Sequence, residues 1–493
     1  MILPINYDRT IIRKTHTDIL IHSLAIIVIL IAVFLGYIDI FNGLNCYMLS
    51  FILIFYIFIR LYFRFSSFDV FSPAIGIPVL LFLYSTVSAS YVEERGITEH
   101  GDYVSTYIMN LFYIACTTGL IGLTAGMLLA QNNCPTIDKL TFFKKLLLNN
   151  KKFKKKMFIA TLFISMPLSF WLFPLFDFTN VASYGERALS LRVERLADIS
   201  SGVKDVFLTM VPVTMILCCA TMLIFNKKNI VLKFVGLIIL FSYLAQNTLA
   251  GWRGVVVSAA VIPLIYYHYR IKRINMIKIA LLGIFVLLFM NTLSFVRTTS
   301  DFSAMINLVV GAVQSGNTKF LALQSSTELF TGMNLHRLIS GIENNETSYT
   351  YGLSIIHEFM VFIPKVFFSS RPLSLSEQFV QTFYPGLLEE GGGYGFFFIQ
   401  EGYWAFGAIG VFLFMLIYGW SVQLIYQWVI KNIKYDIVVF IYAGIYNVLV
   451  ISSVRSGIIG LYKIVLMGLI PFLVVVYLPW NIPFFHRIHR CDK

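Results

Sequence analysis

Residues 277–296 read IKIALLGIFVLLFMNTLSFV, a stretch whose one charge, Lys278, lies at its start. About 20 apolar residues cross the hydrocarbon core of a bilayer as a helix. A lipid-facing backbone must satisfy its own hydrogen bonds, so such a run predicts a helix. Working outward, eleven further runs of the same kind follow from the sequence. The twelve expected spans lie near 19–38, 46–63, 73–90, 107–130, 157–176, 206–225, 230–250, 255–269, 277–296, 396–420, 436–453 and 457–479. The run at 19–38 is too long for a signal-peptide core and has no small-residue cleavage site, so it is expected to be retained.

Composition agrees with an all-α polytopic membrane protein. Hydrophobic residues make up 58% of the chain and charged residues 13%, against roughly 45–50% and about 25% in soluble domains. Lipid must solvate the excess. Cys46, Cys116, Cys134, Cys218, Cys219 and Cys491 have neither the spacing of a metal site nor the density of a disulfide framework.

Basic residues orient the spans. With both termini cytoplasmic, 25 of the 38 Lys and Arg fall on the inner side, including the lysine run at 151–156. The inner side then carries +19 and the outer side −6, which together make the formal +13. The basicity is therefore a topology signal and says nothing of nucleic acid. Three outer segments are long: the acidic 91–106, the stretch 177–205 with Arg187, Arg192 and Arg195, and the large loop 297–395 before the last three helices. Within that loop, 355–368 is apolar, too short to span and interrupted by Pro364. It predicts a short interfacial or re-entrant helix.

No phosphate-binding GxxxxGK[ST], HExxH or Asp-x-Asp pattern occurs, which argues against ATP hydrolysis and nucleotide-sugar donors. Arginine is the informative residue. The inner side has 8 Arg against 17 Lys, the outer side 9 Arg against 4 Lys. Topology asks only for positive charge, whereas a planar guanidinium binds phosphate oxygens in pairs. Arg253, Arg297, Arg371 and Arg455 lie at outer helix ends or in the large loop, beside small or hydroxyl residues. Each is a candidate for an anionic ligand, although arginines at helix ends also reach to headgroups. Glu401 is a carboxylate at membrane depth, a costly placement that marks function or pairing with an arginine. His357 and Glu358 on the apolar stretch are further candidates. Trp252, Tyr394, Tyr403 and Trp404 suit either sugar stacking or an interfacial belt.

At these residues the chain resembles the oligosaccharide repeat-unit polymerases, the Wzy or O-antigen polymerase family. Four features carry the resemblance, which spans roughly residues 240–460. They are Gly251-Trp252-Arg253-Gly254; the large outer loop; the run from Ile363-Pro364-Lys365 to Ser370-Arg371-Pro372; and Glu401-Gly402-Tyr403-Trp404-Ala405-Phe406-Gly407. The last is similar to a Glu-x-Tyr-x-Asn-Phe-Gly pattern, with Ala405 standing where the pattern has Asn. The resemblance implies a GT-C-like glycosyltransferase in the bacterial inner membrane that needs no metal or cofactor. It would join repeat units carried on undecaprenyl pyrophosphate, alongside a chain-length-regulating co-polymerase. It further implies catalytic roles for Glu401, Arg253 and Arg371, and substrate binding by Arg297, Arg455, His357 and Tyr403. Two other readings stay open at this point. A lipid-linked oligosaccharide flippase would favour short loops on both sides, against the 99 residues of 297–395. An O-antigen ligase would share the fold and the arginines.

Overall fold

In the computed structural model each described apolar run is helical, and no strand occurs among the described residues. Those residues are 43–62, 68–96, 104–131, 150–161, 211–226, 229–249, 253–296, 329–361, 372–389 and 393–477, with the short pieces 310–311, 314, 363, 368 and 370. The expected span at 19–38, the segment 177–205, Trp252, Arg297, Pro364 and Arg371 lie outside them.

The first half contributes α1 (Gly43–Tyr62), α2 (Pro73–Arg95), α3 (Thr106–Gln131), α4 (Asn150–Ala160), α5 (Val211–Ile224), α6 (Ile230–Leu249), α7 (Arg253–Arg270) and α8 (Met276–Val296). The expected large loop holds α9 (Met333–Glu343), α10 (Leu353–Val361), α11 (Leu375–Phe383) and α12 (Pro385–Glu389). The chain ends with α13 (Phe398–Asn432), α14 (Asp436–Tyr446), α15 (Ile458–Gly468) and α16 (Ile470–Tyr477). Among the described residues, five helical stretches are long and apolar enough to cross a membrane: α1, α2, α3, α13 and the run Asp436–Arg455.

Local chemistry sets the ends of α2. The Ser72 hydroxyl accepts from the Ala74 amide at 3.3 Å, and Pro73 fills the first turn, where no donor is needed. Gly96, at φ 69°, closes the helix in the left-handed conformation, its amide bonded to Val92 O.

Two spans pack backbone to backbone. A β-carbon on Gly122 would fall 2.5 Å from Phe412 O, and one on Gly126 or Gly419 would strike the Leu416 or Leu123 carbonyl. In lipid, where apolar surface gains nothing by leaving its solvent, such close approach through small residues drives association. The α3–α13 pair is thereby the spine of the bundle.

The expected span at 396–420 needs correction. Within α13, Phe406 and Gly407 have non-helical torsions, and Gly407 takes φ 63°, a conformation glycine adopts without steric cost. The chain reverses there. A β-carbon on Gly402 would lie 2.8 Å from Gly410 O, an approach that residues eight apart on a straight helix cannot make. Residues 398–405 are thus a short arm folded back against the spanning part, 408–432. Hydropathy does not see this, because both limbs are apolar.

The two ends of the bundle differ. At one end lie Tyr107, whose hydroxyl donates to Glu343 at 3.4 Å, Gly332 tight against Tyr84 O, and Phe396, whose amide donates to Arg455 O at 3.0 Å. At the other lie Asp69, His268, Arg270 and Asp436. The segments that charge counting assigned to opposite sides therefore gather at opposite ends.

Candidate functional site

Glu401 sits on the folded-back arm and is wholly buried. Its Oε2 accepts the amides of Ile458 and, at 3.4 Å, Ile459, the first two residues of α15. Those amides have no partner within their own helix, and the positive end of the helix dipole favours a carboxylate there. Gly457, just before them, leaves the room: its β-carbon position is 3.0 Å from Glu401 Oε2. Fixing one oxygen sets the rotamer of the whole carboxylate.

The other oxygen, Oε1, has no hydrogen-bond partner among the described residues. Two neighbours on the same arm share that condition. Gln400 uses Oε1 to accept the Phe397 amide at 3.2 Å, which leaves its buried Nε2 free, and the Trp404 indole Nε1 is also buried and unpaired. Buried polar atoms in folded proteins are nearly always paired, and exceptions call for an explanation. Three of them on one eight-residue arm mark this locus for a polar ligand.

Glu358 comes to the same place from α10. It is buried, its Oε1 accepts the Leu375 amide at 2.5 Å, and its Oε2 lies 3.7 Å from the β-carbon position on Gly460 in α15. The two carboxylates thus flank the first turn of one helix. His357, the neighbour that sequence reasoning ranked higher, is only half-buried. Spacing could have separated them. Ser354, Glu358 and Val361 face inward, while Leu353, Ile356 and Phe359 are 59%, 51% and 60% exposed. The helix hides its polar edge and shows its apolar one, the reverse of a helix packed in water. Lys463 ties α10 down by donating to Val361 O at 2.8 Å.

Of the expected arginines, Arg455 reaches this locus with its backbone, its side chain being exposed. It closes a 3-10 turn, Ser452–Arg455, directly before α15, and its carbonyl holds Phe396 at the entry to the arm. The π-helical turn Asn447–Ile451 precedes it, a geometry common at functional sites. Arg253 opens α7, whose other end joins the Asp69 cluster. Its 18 residues reach about 27 Å back toward the Glu401 end. Arg297 and Arg371 lie outside the described residues. Tyr403 is buried, its ring 6.1 Å from that of Tyr349. Tyr394 packs on Tyr384, with ring centroids 4.8 Å apart. Among the described residues, no three His, Cys, Asp or Glu side chains are grouped to hold a metal ion.

The arrangement can accept a proton on a fixed, buried carboxylate whose arm also carries unpaired hydrogen-bond donors. Residues 24–484 match the family model described as O-antigen polysaccharide polymerase Wzy. No curated protein and no solved structure matches the chain.

Proposed function

Because the chain belongs to the O-antigen polysaccharide polymerase Wzy family, whose members are glycosyltransferase-type polymerases, we propose that it joins undecaprenyl-pyrophosphate-linked repeat units at the periplasmic face of the bacterial inner membrane. The growing glycan is the donor and a newly arrived unit the acceptor. The acceptor hydroxyl oxygen attacks the anomeric carbon and its proton passes to Glu401. The bond from that carbon to the pyrophosphate oxygen breaks, and undecaprenyl pyrophosphate leaves with the electron pair.

The observation that carries this reading is the half-satisfied carboxylate. Two backbone amides hold Glu401 Oε2 while Oε1 stays free and buried, the state a general base needs before substrate arrives. Negative charge grows on the leaving pyrophosphate, so arginines there stabilise the transition state more than the ground state. Arg455 and Arg253 are the candidates on the described helices, with Arg297 and Arg371 completing the set. Glu358 lies on the far side of the α15 turn, beside Gly460. In this reading the protein is a GT-C-like bundle of twelve spans with cytoplasmic termini, needs no metal, and works beside a chain-length-regulating co-polymerase.

Deleting the gene tests the reading. Surface glycan should carry one repeat unit in place of a ladder, and lipid-linked single units should accumulate. Loss of the single-unit species as well would reject polymerisation in favour of an earlier flipping or a later ligation step.

A further inference from the structure

The arm 398–405 holds two buried donors, Gln400 Nε2 and Trp404 Nε1, and one buried acceptor, Glu401 Oε1, all without partners among the described residues. Trp404 lies four residues after Gln400 and three after Glu401, so on the helix surface its side chain borders both. The Trp404 ring stacks 6.4 Å from that of Phe396, and Phe396 approaches Gly457 beside the Glu401 carboxylate. We propose that this arm is a sugar-hydroxyl subsite: Trp404 donates to the oxygen of the acceptor hydroxyl whose proton points at Glu401 Oε1, and Gln400 donates to a neighbouring oxygen of the same sugar.

Charge selects the ligand class. A phosphate oxygen would satisfy both donors but would set a second anion beside Glu401 in a site closed to water, where like charges repel strongly. It would also leave Oε1 without a donor. Neutral sugar hydroxyls satisfy all three atoms, since each oxygen accepts and the attacking hydroxyl's hydrogen donates, with that oxygen's second lone pair left for the anomeric carbon. Acceptor binding and proton removal then fall on one rigid element, pinned by the Gly402–Gly410 approach and by Thr350, whose amide holds Trp404 O at 2.9 Å. The pyrophosphate is left to the arginines. This assignment rests on the polymerase reading for the identity of the sugar, and on the arm alone for its chemistry.

The test uses the full chain in lipid nanodiscs: wild type, Trp404→Phe and Gln400→Met. Each is titrated with repeat-unit oligosaccharide released from its lipid by mild acid and, separately, with undecaprenyl pyrophosphate. Losing one donor should weaken oligosaccharide binding about tenfold and leave undecaprenyl pyrophosphate binding unchanged. In the wild type, which avoids any folding defect of a variant, the isotope-labelled Trp404 indole N–H signal should move on adding oligosaccharide and stay put on adding undecaprenyl pyrophosphate. The reverse pattern, or variants that bind both as the wild type does, overturns the subsite. A wild type that binds oligosaccharide but polymerises nothing would sink the polymerase reading and leave the subsite standing.

Discussion

Two buried carboxylates at opposite ends of the bundle are treated in opposite ways. Asp69 is saturated: Oδ1 accepts the Phe71 amide at 3.0 Å and faces His268 Nε2 at 3.3 Å, and Oδ2 accepts the Tyr269 and Tyr426 hydroxyls at 2.5 and 2.7 Å. His268 is itself committed, since its Nδ1 accepts the Ile274 amide at 3.0 Å. That turns its Nε2 toward Asp69. Burial alone would raise the Asp69 carboxyl, but the hydrogen bonds from His268, Tyr269 and Tyr426 outweigh it and hold the group below its ordinary range. Glu401 is more deeply buried and keeps one oxygen free. A carboxylate that finishes its hydrogen bonds within the protein clamps helices together. One left half-finished still has an oxygen that a ligand can satisfy.

The largest expected effect separates these roles. Glu401→Gln keeps the shape and an acceptor oxygen but removes the base, so polymer formation should fall on the order of 10²–10⁴-fold while protein level in the membrane holds. Asp69→Ala should do the reverse. It strands two hydroxyls and an imidazole, costing about 3–5 kcal/mol of stability and lowering protein level, with normal activity per folded molecule. Equal loss of protein in both variants, read by quantitative blotting beside glycan ladders, would erase the distinction.

Arg253 sharpens the contrast from the side of the leaving group. Arg253→Ala should cost roughly 10²–10³ in rate if its fork stabilises the pyrophosphate, and Arg253→Lys should recover only part, since it keeps charge without paired donors. Full activity of the lysine variant on purified lipid-linked units would reduce Arg253 to a headgroup contact.

Acid should loosen the two ends in order. Burial, with the neighbouring Arg337 adding to it, pushes His336 in α9 down to about 4. Its ordinary value is about 6.5, so the folded state favours the neutral ring. That stabilisation is complete above about pH 6.5 and is lost as pH falls toward 4, by up to about 1.4 kcal/mol per pH unit. Asp69 works on a lower window. Its folded value is depressed, so its contribution is complete above about pH 4 and lost only below it. Amide exchange should therefore rise in 329–343 at a higher pH than in 68–72, and simultaneous loosening would contradict both assignments.

How much of this was legible beforehand depends on the range of the interaction. The helices at 43–62, 73–95 and 106–131, and the sorting of segments to two ends, follow from local hydropathy and charge, because solvation by lipid or water is nearly additive along the chain. The cost of placing Glu401 was legible for the same reason: a charge in an apolar run is costly wherever the run ends up. Composition alone therefore determined that this chain is a helical membrane protein and that Glu401 needed an explanation. Tertiary structure alone decided the rest. It folded 398–405 back at Gly407, buried Glu358 and left His357 half-buried, and set Glu401 against amides 57 and 58 residues away. Such choices depend on which backbones can approach closely, as at Gly402 and Gly410, and on directional hydrogen bonds between distant segments. Neither leaves a mark on the local average of hydropathy.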